Sequence, residues 1–169
     1  MRAVAATLLG ILVSSSVRAA VPPDSARVRL GVTQVGSAWG NDTDSEVRVF
    51  LSVRKPTQCE LSRPEYWGAP DSKPRAIVSG LVVTVGGDSV STPYSAYGDL
   101  SDPAFISVAC RDADFTITIR GGDAAGAYVA RVQVKGMRVN KRRVESGEFP
   151  TEVWEETTYS YFGPLDKGR

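Results

Sequence analysis

The stretch EVRVFLSV, residues 46–53, places Val47, Val49, Leu51 and Val53 on one phase of a two-residue repeat. Such alternation is the signature of a strand with one face turned to a core. FTITIR, residues 115–120, repeats the pattern with Phe115, Ile117 and Ile119. Working outward, further runs rich in Val, Thr, Ile and aromatics occupy residues 27–35, 76–85, 105–110, 127–138 (with an extension towards 144) and 153–162. Residues 76–85 are nearly continuously apolar, which suits a central strand. Gly, Pro, Asp and Ser clusters at residues 86–89, 99–103 and 121–123 separate the runs. No segment after the N-terminal run carries a 3.6-residue apolar stripe. Seven strands at this spacing predict an all-β domain, an antiparallel β-sandwich that is immunoglobulin-like in the broad sense. The last two strands read as a hairpin around residues 145–148, which would bring Lys141 near Glu152 and Arg138 near Glu155.

The N-terminus has Arg2 followed by an apolar run at residues 3–13, then Val17-Arg18-Ala19. This is the pattern of an export signal, with cleavage expected after Ala19. The run is too short to span a bilayer, and no later run approaches that length. The expected organisation is a signal peptide at 1–19, one domain at 20–162 and a frayed tail at 163–169, with the product periplasmic or secreted. The chain holds 20 basic and 19 acidic residues; without Arg2 and Arg18 the balance is 18 to 19, a net charge of −1. That leaves no long-range attraction for nucleic acid or an anionic membrane.

Cys59 and Cys110 are the two cysteines. In an oxidising compartment an even count favours a disulfide, and this pair is expected to form one. Histidine is absent, which removes Ser-His-Asp and Cys-His catalysis and any zinc shell that needs imidazole. Carboxylate, Lys and Tyr mechanisms survive, yet no Gly-x-Ser-x-Gly, Ser-x-x-Lys set or phosphate-binding loop is found. The expectation is a non-enzyme, with a carboxylate-based hydrolase as an alternative, because the spacing of two carboxylates is set in three dimensions.

GNDTDSE, residues 40–46, precedes the opening stretch and spaces Asp42, Asp44 and Glu46 like oxygen ligands. It is not an EF-hand: counting from Asp42, Val47 and Val53 stand where Gly and Glu are required. Asp42 and Asp44 with Asp112 and Asp114, and with Asp99 and Asp102 on a third loop, can form a calcium site if the loops share one end of a sandwich. The same residues also make ordinary turns, because Asp, Asn and Ser side chains bond nearby backbone N–H groups. Asn41-Asp42-Thr43 is a glycosylation sequon, meaningful in a eukaryotic secretory route. Lys141-Arg142-Arg143 is the one dense basic cluster and reads as a solvated hairpin face paired with Glu152, Glu155 and Glu156.

The aromatic residues are the better sign of an interaction. Tyr66 and Trp67 lie on a loop containing Pro64, Pro70 and Pro74; Tyr94 and Tyr97 flank Ser95-Ala96. Tyr and Trp on loops supply large contact areas at low entropic cost. These four residues are candidates for docking a protein or stacking on sugar rings; plugging the open end of the sandwich is the structural alternative. Trp39 and Trp154 read as core. The expected function is an exported, non-catalytic domain that docks another protein as an inhibitor, an immunity-type partner or an envelope accessory. A calcium-dependent binding module is the main alternative.

Overall fold

The computed structural model describes residues 23–38, 46–62, 66–69, 73–111 and 114–161. Ten strands are found among them: β1 (Ser25–Arg27), β2 (Gly31–Ala38), β3 (Glu46–Arg54), β4 (Ile77–Val85), β5 (Asp88–Ser89), β6 (Pro103–Arg111), β7 (Asp114–Gly121), β8 (Tyr128–Lys135), β9 (Arg138–Ser146) and β10 (Val153–Thr158). They make two antiparallel sheets, one ordered β1-β6-β7-β8-β9-β10 and the other β2-β3-β4-β5. The proposed signal peptide at 1–19 and the tail at 163–169 lie outside the described residues. Among the described residues no helix is long and apolar enough to cross a membrane.

The alternation that predicted the strands also builds the core. Val47, Val49 and Leu51 of β3 are fully buried, as are Ile117 and Ile119 of β7 and Ala130 and Val132 of β8. Buried residues of both sheets join in one hydrophobic cluster. Each buried Val, Leu or Ile side chain contributes roughly 1.5–3 kcal/mol through burial.

Three differences raise the strand count from seven to ten. The run at 27–35 is two strands: β1 pairs with β6, and β2 pairs with β3 in the other sheet. The chain changes sheets at residues 28–30, with Val28 N–H bonded to Ala104 O at 3.0 Å on the way. The run at 127–144 is a hairpin, β8 and β9, turning through Gly136 and Met137. The two-residue β5 adds the last. The connections are mostly sequential, each sheet being a meander apart from β1, whereas immunoglobulin-type connections interleave two sheets.

β4 lies between β3 and β5, but β5 covers just Thr84 and Val85. Beyond it the following chain takes over the edge of β4: Val90 N–H reaches Val83 O at 2.9 Å, Thr92 Oγ1 reaches Leu81 O at 2.8 Å, and Val78 N–H reaches Leu100 O at 3.0 Å. Residues 90–101 therefore run beside β4 before entering β6. At Ser91 they also bond β9, through Val139 N–H to Ser91 O at 3.3 Å.

The expected disulfide is absent: Cys59 and Cys110 are free thiols, the first exposed and the second partly buried. Strand direction explains this. Cys110 hydrogen-bonds Ser37, and Ser37 lies opposite Val47 at the start of β3. Cys59 lies beyond the other end of β3, next to Glu60, which ion-pairs Arg54 at 2.6 Å. Seven strand residues, about 24 Å at the usual rise, separate these ends, and a disulfide requires Cα atoms about 6 Å apart. Burial raises the pKa of the Cys110 thiol.

The turn after β3 is held by one carboxylate. Glu60 accepts from Arg54 Nη2 at 2.6 Å and Nη1 at 2.8 Å, and from Thr57 N–H and Oγ1, both at 2.8 Å. Arg54, with the Thr57 donors, lowers the Glu60 pKa to about 2. The folded value lies below the unfolded one, so the stabilising contribution is complete above pH 4.5 and is lost as pH falls through 2. A carboxyl NMR titration is expected to find the Glu60 midpoint near 2, moving up towards 4.5 in Arg54→Ala. An unchanged midpoint in the variant would remove Arg54 as the principal cause.

Candidate functional site

β9 and β10 end the six-stranded sheet, and two irregular segments lie across them. One is residues 66–69, the other residues 94–101. They are joined as a short parallel bridge: Trp67 N–H bonds Asp99 O at 2.9 Å, and Ser101 N–H bonds Trp67 O at 2.9 Å. Ser101 Oγ also donates to Trp67 O at 2.9 Å. Residues 94–96 form a single 3-10 turn, closed by Tyr97 N–H to Tyr94 O at 3.1 Å, with Gly98 N–H reaching the same oxygen at 2.8 Å. Asp102 fixes the far end, its Oδ1 accepting from the N–H groups of Arg75 and Ala76, each at 3.0 Å.

Beneath these segments lies Arg142. Its side chain is 3% exposed, which departs from the solvated basic face expected for Lys141-Arg142-Arg143. Arg142 shares the inward phase of β9 with Val144, and both are buried. Its Nη2 donates to Asp99 Oδ1 at 2.7 Å, and its Nη1 to Glu155 Oε1 at 3.1 Å and Ser95 O at 3.0 Å. Glu155 Oε1 also accepts from Thr157 Oγ1 at 2.8 Å, and its Oε2 from Trp67 Nε1 at 3.2 Å. Burial raises the Asp99 pKa, with Arg142 opposing the rise. Three separated pieces of sequence thus meet in one ion network.

The predicted aromatic residues surround it. Tyr66 is 7% exposed and stands between two adjoining hollows. The first, about 340 Å³, is lined by Tyr66, Tyr94, Asp99, Arg142 and Glu155 among others. The second, about 540 Å³, is lined by Tyr66, Trp67, Gly126, Val153 and Trp154 among others. Trp67 stacks on Trp154, with ring centroids 5.5 Å apart and planes 17° from parallel. Tyr94 is 55% exposed and meets Tyr97 edge-on at 5.4 Å, while Tyr97 packs partly buried against the core. Trp154, read as core, is a partly buried wall of the second hollow.

The acidic candidates are placed less fully. Asp42, Asp44, Asp112 and Trp39 lie outside the described residues. Asp114 is exposed at the start of β7, opposite Arg111 and Lys135. Asp99 is in the Arg142 network and Asp102 bonds the backbone. Among the described residues no three His, Cys, Asp or Glu side chains are grouped to hold a metal.

Arg142, Asp99 and Glu155 are the site residues that the sequence reading did not single out together. One signal was available: Arg142 falls in phase with Val144, so the alternation already turned it inward. Compared with protein-family models, curated proteins and solved structures, the chain matches none.

Proposed function

We propose that this chain is an exported, non-catalytic binding module, a two-sheet β-sandwich, immunoglobulin-like in packing rather than connection, that docks another protein through the aromatic cleft over β9 and β10. The observation carrying this reading is the convergence of Tyr66, Trp67, Tyr94 and Trp154 around two adjoining hollows above a charged floor. Aromatic anchors beside partly desolvated charges are the usual composition of an interface centre. The sandwich reading draws on the single core shared by the two sheets.

A carboxylate hydrolase would use a pair such as Asp99 and Glu155. The two carboxylates are, however, both tied to the one Arg142 guanidinium, which bridges them where a substrate bond would have to sit. This favours the binding reading.

The test is capture from the envelope or secreted fraction, with the wild-type protein and Tyr94→Ala as baits. Tyr94 is largely exposed, so the variant is expected to keep its unfolding midpoint while retaining about tenfold less partner. Equal retention by both baits would remove this cleft as the interface. Washing in calcium and eluting with chelator before denaturant separates the alternatives: release by chelator supports the calcium-dependent module built on Asp42, Asp44, Asp112 and Asp114.

A further inference from the structure

We infer that the hollow between Tyr94, Asp99 and Glu155 receives a basic side chain, that of an arginine presented by the docked protein; the inference rests on the docking reading above.

The charges in the hollow are unequal in number and in accessibility. Arg142 supplies one positive charge, against the two negative charges of Asp99 and Glu155. The positive group is at the bottom, 3% exposed, whereas the Asp99 and Glu155 side chains are 37% and 29% exposed. An incoming group therefore meets carboxylate before guanidinium. Arg54, near Tyr66 and Tyr94, does not reverse this balance, because Glu60 pairs with it at 2.6 Å. An anionic ligand would have to displace a carboxylate from Arg142 and would leave that carboxylate unpaired.

The aromatic wall fits the same occupant. The Tyr94 ring lies against Gly98, so closely that a Cβ there would be 2.2 Å from Tyr94 Cζ. Its hydroxyl is fixed by donation to Gly98 O at 3.1 Å. The ring thus packs on Gly98 and meets Tyr97 at its edge, with 55% of the residue left exposed to present a face. A guanidinium can stack on that face while donating to the carboxylates beside it. A volume of about 340 Å³ is at the small end of ligand hollows, suited to one side chain rather than a larger molecule.

The test uses two capped pentapeptides, Gly-Gly-Arg-Gly-Gly and the same peptide with citrulline, a neutral isostere, in place of arginine. Binding is followed by NMR at the Trp67 indole N–H, which bonds Glu155, and at the Tyr94 ring. The arginine peptide is expected to bind about tenfold more tightly than the citrulline peptide. Its response should weaken with added salt and be lost in Tyr94→Ala and in Asp99→Asn. Equal binding of the two peptides, or an arginine response unchanged in both variants, overturns the inference. Should the peptides bind equally while Tyr94→Ala still loses the captured partner, the docking reading stands and the arginine anchor fails. Should the arginine peptide bind at the hollow while capture ignores Tyr94→Ala, the docking reading fails, and with it the assignment of the cation to a docked protein.

Discussion

Replacing Arg142 with methionine is expected to lower the free energy of unfolding by about 3 kcal/mol. The variant keeps an unbranched apolar stem but removes the guanidinium donors to Asp99, Glu155 and Ser95 O. Asp99 and Glu155 are then left side by side with no counter-charge. Losing one partner of a buried ion pair costs about 3–5 kcal/mol; the partial exposure of both carboxylates places this case at the lower end. The loss also depends on pH. In the variant the guanidinium no longer opposes the burial that raises the folded Asp99 pKa, so that pKa stands further above the unfolded one. The folded state then binds more protons than the unfolded state, so stability relative to wild type falls as pH rises and the deficit is widest near neutrality. Urea denaturation at pH 7 and pH 4 measures both effects. A deficit below about 1 kcal/mol at pH 7 would show that the guanidinium is effectively solvated. The triple variant Arg142→Met, Asp99→Asn, Glu155→Gln is expected to regain most of the loss, because it removes the charges together.

The second large effect is expected at Gly68, where alanine should cost about 2–3 kcal/mol and open the aromatic cleft. Gly68 has φ +104°, a conformation that L-residues rarely adopt. An added Cβ would also lie 2.6 Å from the Ser101 backbone O and 2.9 Å from a ring carbon of Tyr128. Neither neighbour can yield cheaply, since one is backbone and the other is 1% exposed. Residues 66–69 would have to move, carrying Trp67 off Trp154. The near-UV circular dichroism of the stacked indoles should weaken along with the stability. Gly31→Ala is the control: its φ is +98° but nothing lies within 4 Å of the added carbon, so the cost should be the backbone term alone, about 1 kcal/mol. Equal losses in the two variants would mean that the contacts of Gly68 do not matter.

What could be read in advance follows from periodicity. β3 and β7 were legible because one face of each is fully buried, which fixes the phase of every apolar residue. The β8–β9 hairpin was not, because Gly136 and Met137 lack the Asn-Gly or Asp-Gly signal that marks such turns, and apolar residues continue on both sides. The β9–β10 pairing was legible but its register was not. The link runs through residues 147–152 and a bulge follows at Trp154. Lys141 therefore pairs with Glu156 at 2.9 Å and Arg142 with Glu155, while Arg138 lies over the Tyr161 ring at 5.3 Å. The disulfide expectation failed for a related reason, since cysteine count carries no information about which end of a strand each thiol occupies. The site was half legible. Aromatic residues on loops could be found one by one, but the meeting of residues 99, 142 and 155 depends on residues 94–101 folding back over β9 and β10, which alternation does not encode.

The short strand β1 has a kinetic consequence. Nine of the ten strands belong to two runs whose neighbours are consecutive in the chain, so each run can zip up from local turns. Among the ten strands β1 alone pairs with distant chain, Ser25 with Ser107, and closes a loop of about 80 residues for three residues of ladder. It is the latch between the two meanders, the pairing whose entropy cost is repaid last. The order of assembly should therefore be two separate sheets first, then their closure by the latch. Removing residues 23–28 should speed unfolding far more than it slows folding.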